Sequence, residues 1–288
     1  MILHLQKFLK KLSESLLAVI KVVILSRYAR GIEKSVQEKE CVILGNGPSF
    51  NTLYTDYKGF LEGRDLICVN MFPATSLYEV LKPSMFITSA PEFWLDGMDA
   101  VYETERKKLF NALAEKTRWP LKLFIPFSAR KSKEWQMKIA TNPEIKVIYY
   151  NDTGVEGWKT LIYWLFRKNL AMPRPHNVLS PAIFNAISQG YKTIWLWGAD
   201  HNQFLELSVD EDNIAMISHR HFYDFSSATP DVMRKMGTGR RKVHEILHKF
   251  MLTFEAYHVL RDYAEKNGVK IYNPSPGSLI DAFERKKI

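Results

Sequence analysis

At 288 residues, with 46% hydrophobic and 25% charged positions, the chain has an ordinary globular composition, which excludes disorder and fibrous repeats. Its length suits one large domain or two small ones with a sizeable buried core. Net charge is +9, but +5 of it sits in residues 1–30, where Lys7, Lys10, Lys11, Lys21, Arg27 and Arg30 oppose the single acid Glu14. The remainder is only mildly basic, so no nucleic-acid partner is called for; an anionic small substrate and a membrane-facing segment account for the balance.

The first element is helical. Leu5, Phe8, Leu9, Leu12, Leu16, Leu17, Ile20, Val23 and Ile24 recur at roughly helical spacing, with lysines between them. The stretch around Lys21 never reaches the uninterrupted apolar length of a membrane span, and a signal-peptide core and cleavage site are not evident. Two readings stand: a basic amphipathic helix on an anionic membrane face, or a helix packed on the body or on a sister subunit. Residues 31–40 are polar and read as a connector.

From residue 41 short apolar runs alternate with helical stretches. The runs are 41–44, 66–69, 85–88, 121–125, 147–150, 194–197 and 269–272; the clearest helices are 180–189 and about 241–266. This order predicts an α/β fold with a doubly wound, mostly parallel sheet and helices on both faces. Ligands of such sheets bind beyond the carboxyl ends of the strands, where Asn46, Asn70, Ser89 and Asp200 fall. Cys41 and Cys68 lie inside apolar runs, so a disulfide framework is excluded and a reducing cytoplasm fits. Residues 202–240 are the least regular stretch and read as a lid over a domain spanning 41–288.

The loop of Gly45, Asn46, Gly47, Pro48 and Ser49 follows the first run. Its glycines allow close backbone approach, and Ser49 can cap the next helix, so its amides suit a phosphate or a ribose. It lacks the lysine of a Walker loop and the third glycine of a dinucleotide fingerprint, and an ordinary tight turn is the alternative. Arg240 and Arg241 could neutralise a phosphate, while His219, Arg220 and His221 read as a solvated loop or a phosphate contact. Trp195 and Trp197 alternate with apolar neighbours and read as core.

These motifs, with Val69 and Asn70, Leu179 and Ser180, and the run 190–200, resemble the bacterial CMP-sialic acid sialyltransferases that decorate lipooligosaccharide. Wider relatives are the motility-associated flagellin glycosyltransferases, and the resemblance touches most of 41–282 in order. It implies a Rossmann-like, GT-A-like sialyltransferase fold and metal-independent, inverting transfer, without a cofactor, of sialic acid or a related 2-keto sugar. The donor would be a CMP sugar and the acceptor a glycan or lipid-linked oligosaccharide at the inner face of the cell membrane. Asn46 and Asn70 would touch the nucleotide, beside Gly45, Gly47, Ser49 and Asp200. Ser89 stands where the family has asparagine, Ser180 would contact the donor carboxylate, and His248 would be the general base. Asn202 falls where the family has a phosphate-stabilising tyrosine, for which Tyr223 or His221 could substitute. Ser275, Gly277 and Ser278 would lie near the cytosine.

His244, Glu245 and His248 also form an H-E-x-x-H pattern on a helix, which could grip zinc with Glu245 as base. Lys249 follows where zinc peptidases usually keep an apolar residue. A surface pair of histidines, a zinc site and a single base at His248 are the three readings of this helix.

Overall fold

The structure, a computed structural model, describes residues 2–29, 32, 39–218, 221–223, 230–235 and 239–288. Arg30, most of the 31–40 connector, His219, Arg220, Gly237 and Thr238 lie outside the described residues.

The seven apolar runs form seven parallel strands: β1 (Glu40–Leu44), β2 (Asp65–Val69), β3 (Met85–Ile87), β4 (Leu121–Pro126), β5 (Ile145–Tyr150), β6 (Thr193–Trp197) and β7 (Lys270–Tyr272). Their order is β7-β6-β1-β2-β3-β4-β5. The chain thus builds outward from β1 in one direction, then returns to the far side of β1 to place β6 and β7. Such a reversal opens a crevice beyond the carboxyl ends of β1 and β6.

Among the described residues eight α-helices flank the strands: α1 (Ile2–Leu25), α2 (Ser49–Tyr57), α3 (Leu77–Leu81), α4 (Ala100–Lys116), α5 (Glu134–Ile139), α6 (Lys159–Arg167), α7 (Leu179–Gln189) and α8 (Val243–Lys266). Side chains alternate between the faces of the sheet, which explains why each strand is apolar throughout. Cys41, Ile43, Ile67 and Val69 face one core with α6, α7 and α8. Val42, Leu44, Leu66 and Cys68 face the other, with α2, α4 and α5. The fold is therefore doubly wound α/β. Both cysteines are free and buried, and burial pushes their thiols up. Trp195 and Trp197 are buried against Phe60.

Between β6 and α8 the chain is not a bare loop. Ser208–Val209, Ala215–Ile217 and Asp231–Val232 pair as a small antiparallel sheet, and Arg234–Lys235 pairs with Gly239–Arg240. Its middle is fastened to the glycine loop: the Phe222 N–H donates to the Asn46 carbonyl at 2.9 Å, and Asn51 Nδ2 donates to the Phe222 carbonyl at 2.7 Å. The Phe222 ring packs between Phe50 and Phe72.

Candidate functional site

The glycine loop meets the end of β6 at the crevice, and two close approaches explain its composition. A Cβ on Gly45 would lie 2.6 Å from the Gly198 carbonyl oxygen, and one on Gly47 would overlap the Asp200 carboxylate. Gly198 itself sits at φ +64°, in the left-handed region that favours glycine. The glycines thus let two loops of the chain close on each other.

Their amides are correspondingly occupied. The Gly45 N–H donates to the Trp197 carbonyl at 2.7 Å and that of Gly47 to the Gly198 carbonyl at 2.9 Å. The Ser49 N–H donates to Asp200 Oδ1 at 3.2 Å and its hydroxyl to Oδ2 at 2.9 Å. This corrects the reading of the loop as an open amide cradle with Ser49 as cap. Ser49 is the first helical residue, and the carboxylate at the head of α2 is Asp200, 4% exposed. Burial pushes the Asp200 carboxyl up, against the lowering effect of the Ser49 hydrogen bonds.

The open space lies to one side, over the ends of β2, β3 and β6. A cavity of about 940 Å³ is lined from the sheet by Asn70, Ser89 and His201, and from the start of α7 by His176 and Asn177. Arg234, Arg240, Arg241 and Lys249 contribute cations; Glu92, Asp99, Glu105 and Asp231 contribute carboxylates. Arg234 pairs with Asp99 at 2.7 Å. Burial lowers the Lys249 ammonium below its usual value, Arg241 lowers it further, and Glu92 opposes both. Burial and Glu92 raise the Glu105 carboxyl. Arg106, buried, donates to the carbonyls of Glu92 and Leu95 and so pins the turn that carries Glu92.

A second cavity, of about 320 Å³, adjoins the first, sharing His176, Arg241 and Lys249 with it. Its other lining residues are His244, Glu245, His248 and Leu252. His248 therefore opens onto the smaller space, while Lys249, Phe250 and Thr253 are the α8 residues that face the larger. Glu245 accepts from the Lys242 N–H at 2.8 Å and closes the first turn of α8. Among the described residues no three His, Cys, Asp or Glu side chains come together as metal ligands.

The remaining expected residues fall in several places. Asn46 donates through Nδ2 to the Val69 carbonyl at 3.3 Å; its Oδ1 is buried and unpartnered among the described residues. Asn70 sits at φ +47° and its Oδ1 accepts from Thr88 at 3.4 Å. Ser180 is 0% exposed in the first turn of α7, and its hydroxyl has no partner among the described residues. Asn202 is partly exposed, one residue past His201. Tyr223 stacks on His221 at 5.0 Å, and His221 lines the large cavity.

The last loop departs from expectation. The Ser275 hydroxyl donates to the Leu196 carbonyl at 3.0 Å and accepts from the Ala199 N–H at 3.0 Å. The Ser278 hydroxyl accepts from Asn273 Nδ2 at 2.9 Å and from the Ile280 N–H at 3.2 Å. The Ser275 hydroxyl braces the loop against the end of β6, and the Ser278 hydroxyl ties the loop to itself; neither stands free for a base. Gly277, exposed at φ +68°, forms the turn between them.

Sequence reasoning missed a partly buried set at the edge of the large cavity. Asn177 Oδ1 accepts from the N–H groups of Leu179 and Ser180, at 2.8 and 3.1 Å, and caps α7. The Tyr257 hydroxyl lies 3.1 Å from His201 Nε2. Burial holds His201 down to about 4; burial, with Arg174, does the same for His176. A cap signal was visible, an asparagine just ahead of a helix, and His201 directly follows the last residue of a strand-end motif.

No protein-family model and no curated protein match the chain. Among solved structures it is similar to the MAf glycosyltransferase from Magnetospirillum magneticum AMB-1, with a TM-score of 0.48 and 14% identity. That likeness covers 94% of this chain and 38% of the other, so the chain spans well under half the length of its structural neighbour.

Proposed function

We propose that the chain is a glycosyltransferase that moves an acidic sugar, sialic acid or a related 2-keto sugar, from a CMP donor to a glycan hydroxyl. The observation that carries this reading is the cluster of cations on the α8 side of the large cavity. Arg240, Arg241 and Lys249 converge there from the start of α8, and burial and Arg241 together hold Lys249 below its ordinary value. Crowded, partly desolvated cations favour an anionic ligand, and a CMP sugar brings both a phosphate and a carboxylate. A volume of about 940 Å³ is ample for a molecule of that size.

In this reading Asn70 meets the nucleotide and Ser89 the donor sugar, both leaving strand ends. The acceptor enters the smaller cavity, where His248 takes the proton of its hydroxyl. The acceptor oxygen bonds to the anomeric carbon as the bond from that carbon to the phosphate oxygen breaks. The pair of electrons leaves with CMP, whose charge Arg240, Arg241 and Lys249 stabilise. Arg241, Lys249 and His176, common to both cavities, stand where the two substrates meet.

A nucleotide series in a thermal-shift assay tests this directly. A ligand at 100 times its dissociation constant adds about 2.7 kcal/mol of stability, so CMP should raise the melting temperature more than UDP, GDP or ATP at equal concentration. A preference for ATP with a strict magnesium requirement would instead make the chain a pyrophosphate-transfer enzyme.

A further inference from the structure

Helix α1 docks on the body by the side opposite to the one its sequence advertises. Ser15, Ala18 and Ser26 are buried, and Val22 is partly so. The contacts are polar and close. Ser15 Oγ accepts from the Trp158 N–H at 3.0 Å, beside Gly157, where a Cβ would lie 2.5 Å from that oxygen. Ser26 Oγ donates to the Leu170 carbonyl at 2.6 Å and lies 2.9 Å from Thr153. Asn151 brackets Arg27, accepting from its N–H at 2.8 Å and donating to its carbonyl at 2.7 Å. These bonds fix the rotation of the helix about its axis.

The large apolar side chains consequently point away from the protein. Leu9, Leu16, Leu17, Ile20, Val23 and Ile24 are all exposed, Val23 to 75% and Ile24 to 62%. At helical periodicity they form one broad stripe, and Lys7, Lys10 and Lys21 run along its edge between stripe and body. Trp158, in contact with Phe8, and Trp164 of α6 are exposed on the neighbouring element. No helix among the described residues is long and apolar enough to cross a membrane.

We propose that α1 lies in the headgroup layer of an anionic bilayer, with its outward stripe among the upper acyl chains and its lysines on the lipid phosphates. An apolar face, a lysine edge and flanking tryptophans are the features such a layer selects. Charge decides against a second copy of the chain as the occupant. Two α1 helices packed antiparallel, face to face, would bring their lysine edges together, and Glu14 is already engaged by Lys11 at 2.8 Å and Lys10 at 3.8 Å. Anionic lipid neutralises that edge; a sister helix repels it. Lipid docking by α1 requires nothing of the activity proposed above.

Flotation of the 288-residue chain with vesicles is the test. Binding is expected to phosphatidylcholine vesicles containing phosphatidylserine, weaker binding to phosphatidylcholine alone, and release as salt is raised. The double substitution Ile20→Glu with Ile24→Glu should weaken binding by about tenfold or more. Removing the exposed edge charge by Lys7→Ala and Lys10→Ala should weaken the preference for anionic lipid. Val80→Glu, an exposed apolar site on α3, is the control and should change nothing. An unaltered melting temperature in each variant shows that the outward residues carry no fold. Absence of flotation would overturn the proposal, as would flotation indifferent to Ile20→Glu with Ile24→Glu. So would a dimer in sedimentation that the same double substitution dissociates.

Discussion

Asp200 and Ser49 are 151 positions apart in the chain, yet the carboxylate of one accepts both the N–H and the hydroxyl of the other. The bond ties the end of β6 to the head of α2 across the point where the sheet reverses direction. An internal carboxylate therefore holds the positive end of this helix, a place where many α/β proteins hold a ligand phosphate. The ligand space is displaced toward β2 and β3.

Asp200 should carry a recognisable pH signature. Its folded value is raised by burial, so the native state keeps a proton that the unfolded chain has already released. Stability contributed at this site is then highest below the unfolded value of about 3.9 and falls as pH rises toward the raised native value. Asp200→Asn, which cannot ionise, should lose that slope in urea titrations across the range. Asp200→Ala should cost about 1–3 kcal/mol at neutral pH, because the Ser49 N–H and hydroxyl lose their acceptor. A pH slope of Asp200→Asn indistinguishable from that of the native chain would refute this assignment.

Gly47→Ala is expected to destabilise by about 1–3 kcal/mol or more, since the added methyl overlaps the Asp200 carboxylate. The same change at Gly59, where a Cβ meets nothing within 4 Å, should be close to neutral. Equal midpoints for the two variants in denaturant would contradict the packing described.

Acid should weaken the protein through two partly buried histidines. His201 and His176 are each held down to about 4, against about 6.5 unfolded. Above pH 6.5 both states are neutral and nothing is lost. As pH falls from about 6.5 to about 4 the unfolded chain takes up protons first, and stability drops by roughly 1–3 kcal/mol per histidine, with residual water contact trimming the figure. His201→Asn, which tolerates the φ of +48° at this position, should flatten part of that slope. An unchanged slope in calorimetry would show that His201 is not the source.

Cavity residues should separate binding from turnover. Asn70→Ala is expected to weaken CMP binding by about 1–3 kcal/mol in a calorimeter, as a lost polar contact does. His248→Ala should leave that affinity nearly intact and reduce turnover by about 10² to 10⁴, because the base meets the acceptor. His244→Ala should cost far less. Equal collapse of all activity on His244→Ala, Glu245→Gln and His248→Ala, with bound zinc, would replace the transferase reading by a metal one.

The fold was largely legible because parallel strands buried on both faces leave unbroken apolar runs, as at residues 41–44 and 194–197. Strand ends were legible for the same reason, and Asn70 and Ser89 do border the cavity. What the glycines at 45 and 47 face was not, since their partner arrives from residues 197–200 and local pattern carries no distance of that kind. Ser275 and Ser278 look identical in sequence whether they meet a ligand or brace a loop. Amphipathicity told that α1 has two sides without telling which one docks; the small residues Ser15, Ala18 and Ser26 decide that.

The fastening of Phe222 to Asn46 and Asn51 has a polymer consequence. Unfastened, the chain between β6 and α8 would have to close as a single long span; held at Phe222, it closes as two shorter ones. Loop-closure entropy grows only with the logarithm of length, so the gain in stability is modest. The pairing of Ala215–Ile217 with Asp231–Val232 crosses from one span to the other, so the two spans are held to each other as well as to the glycine loop.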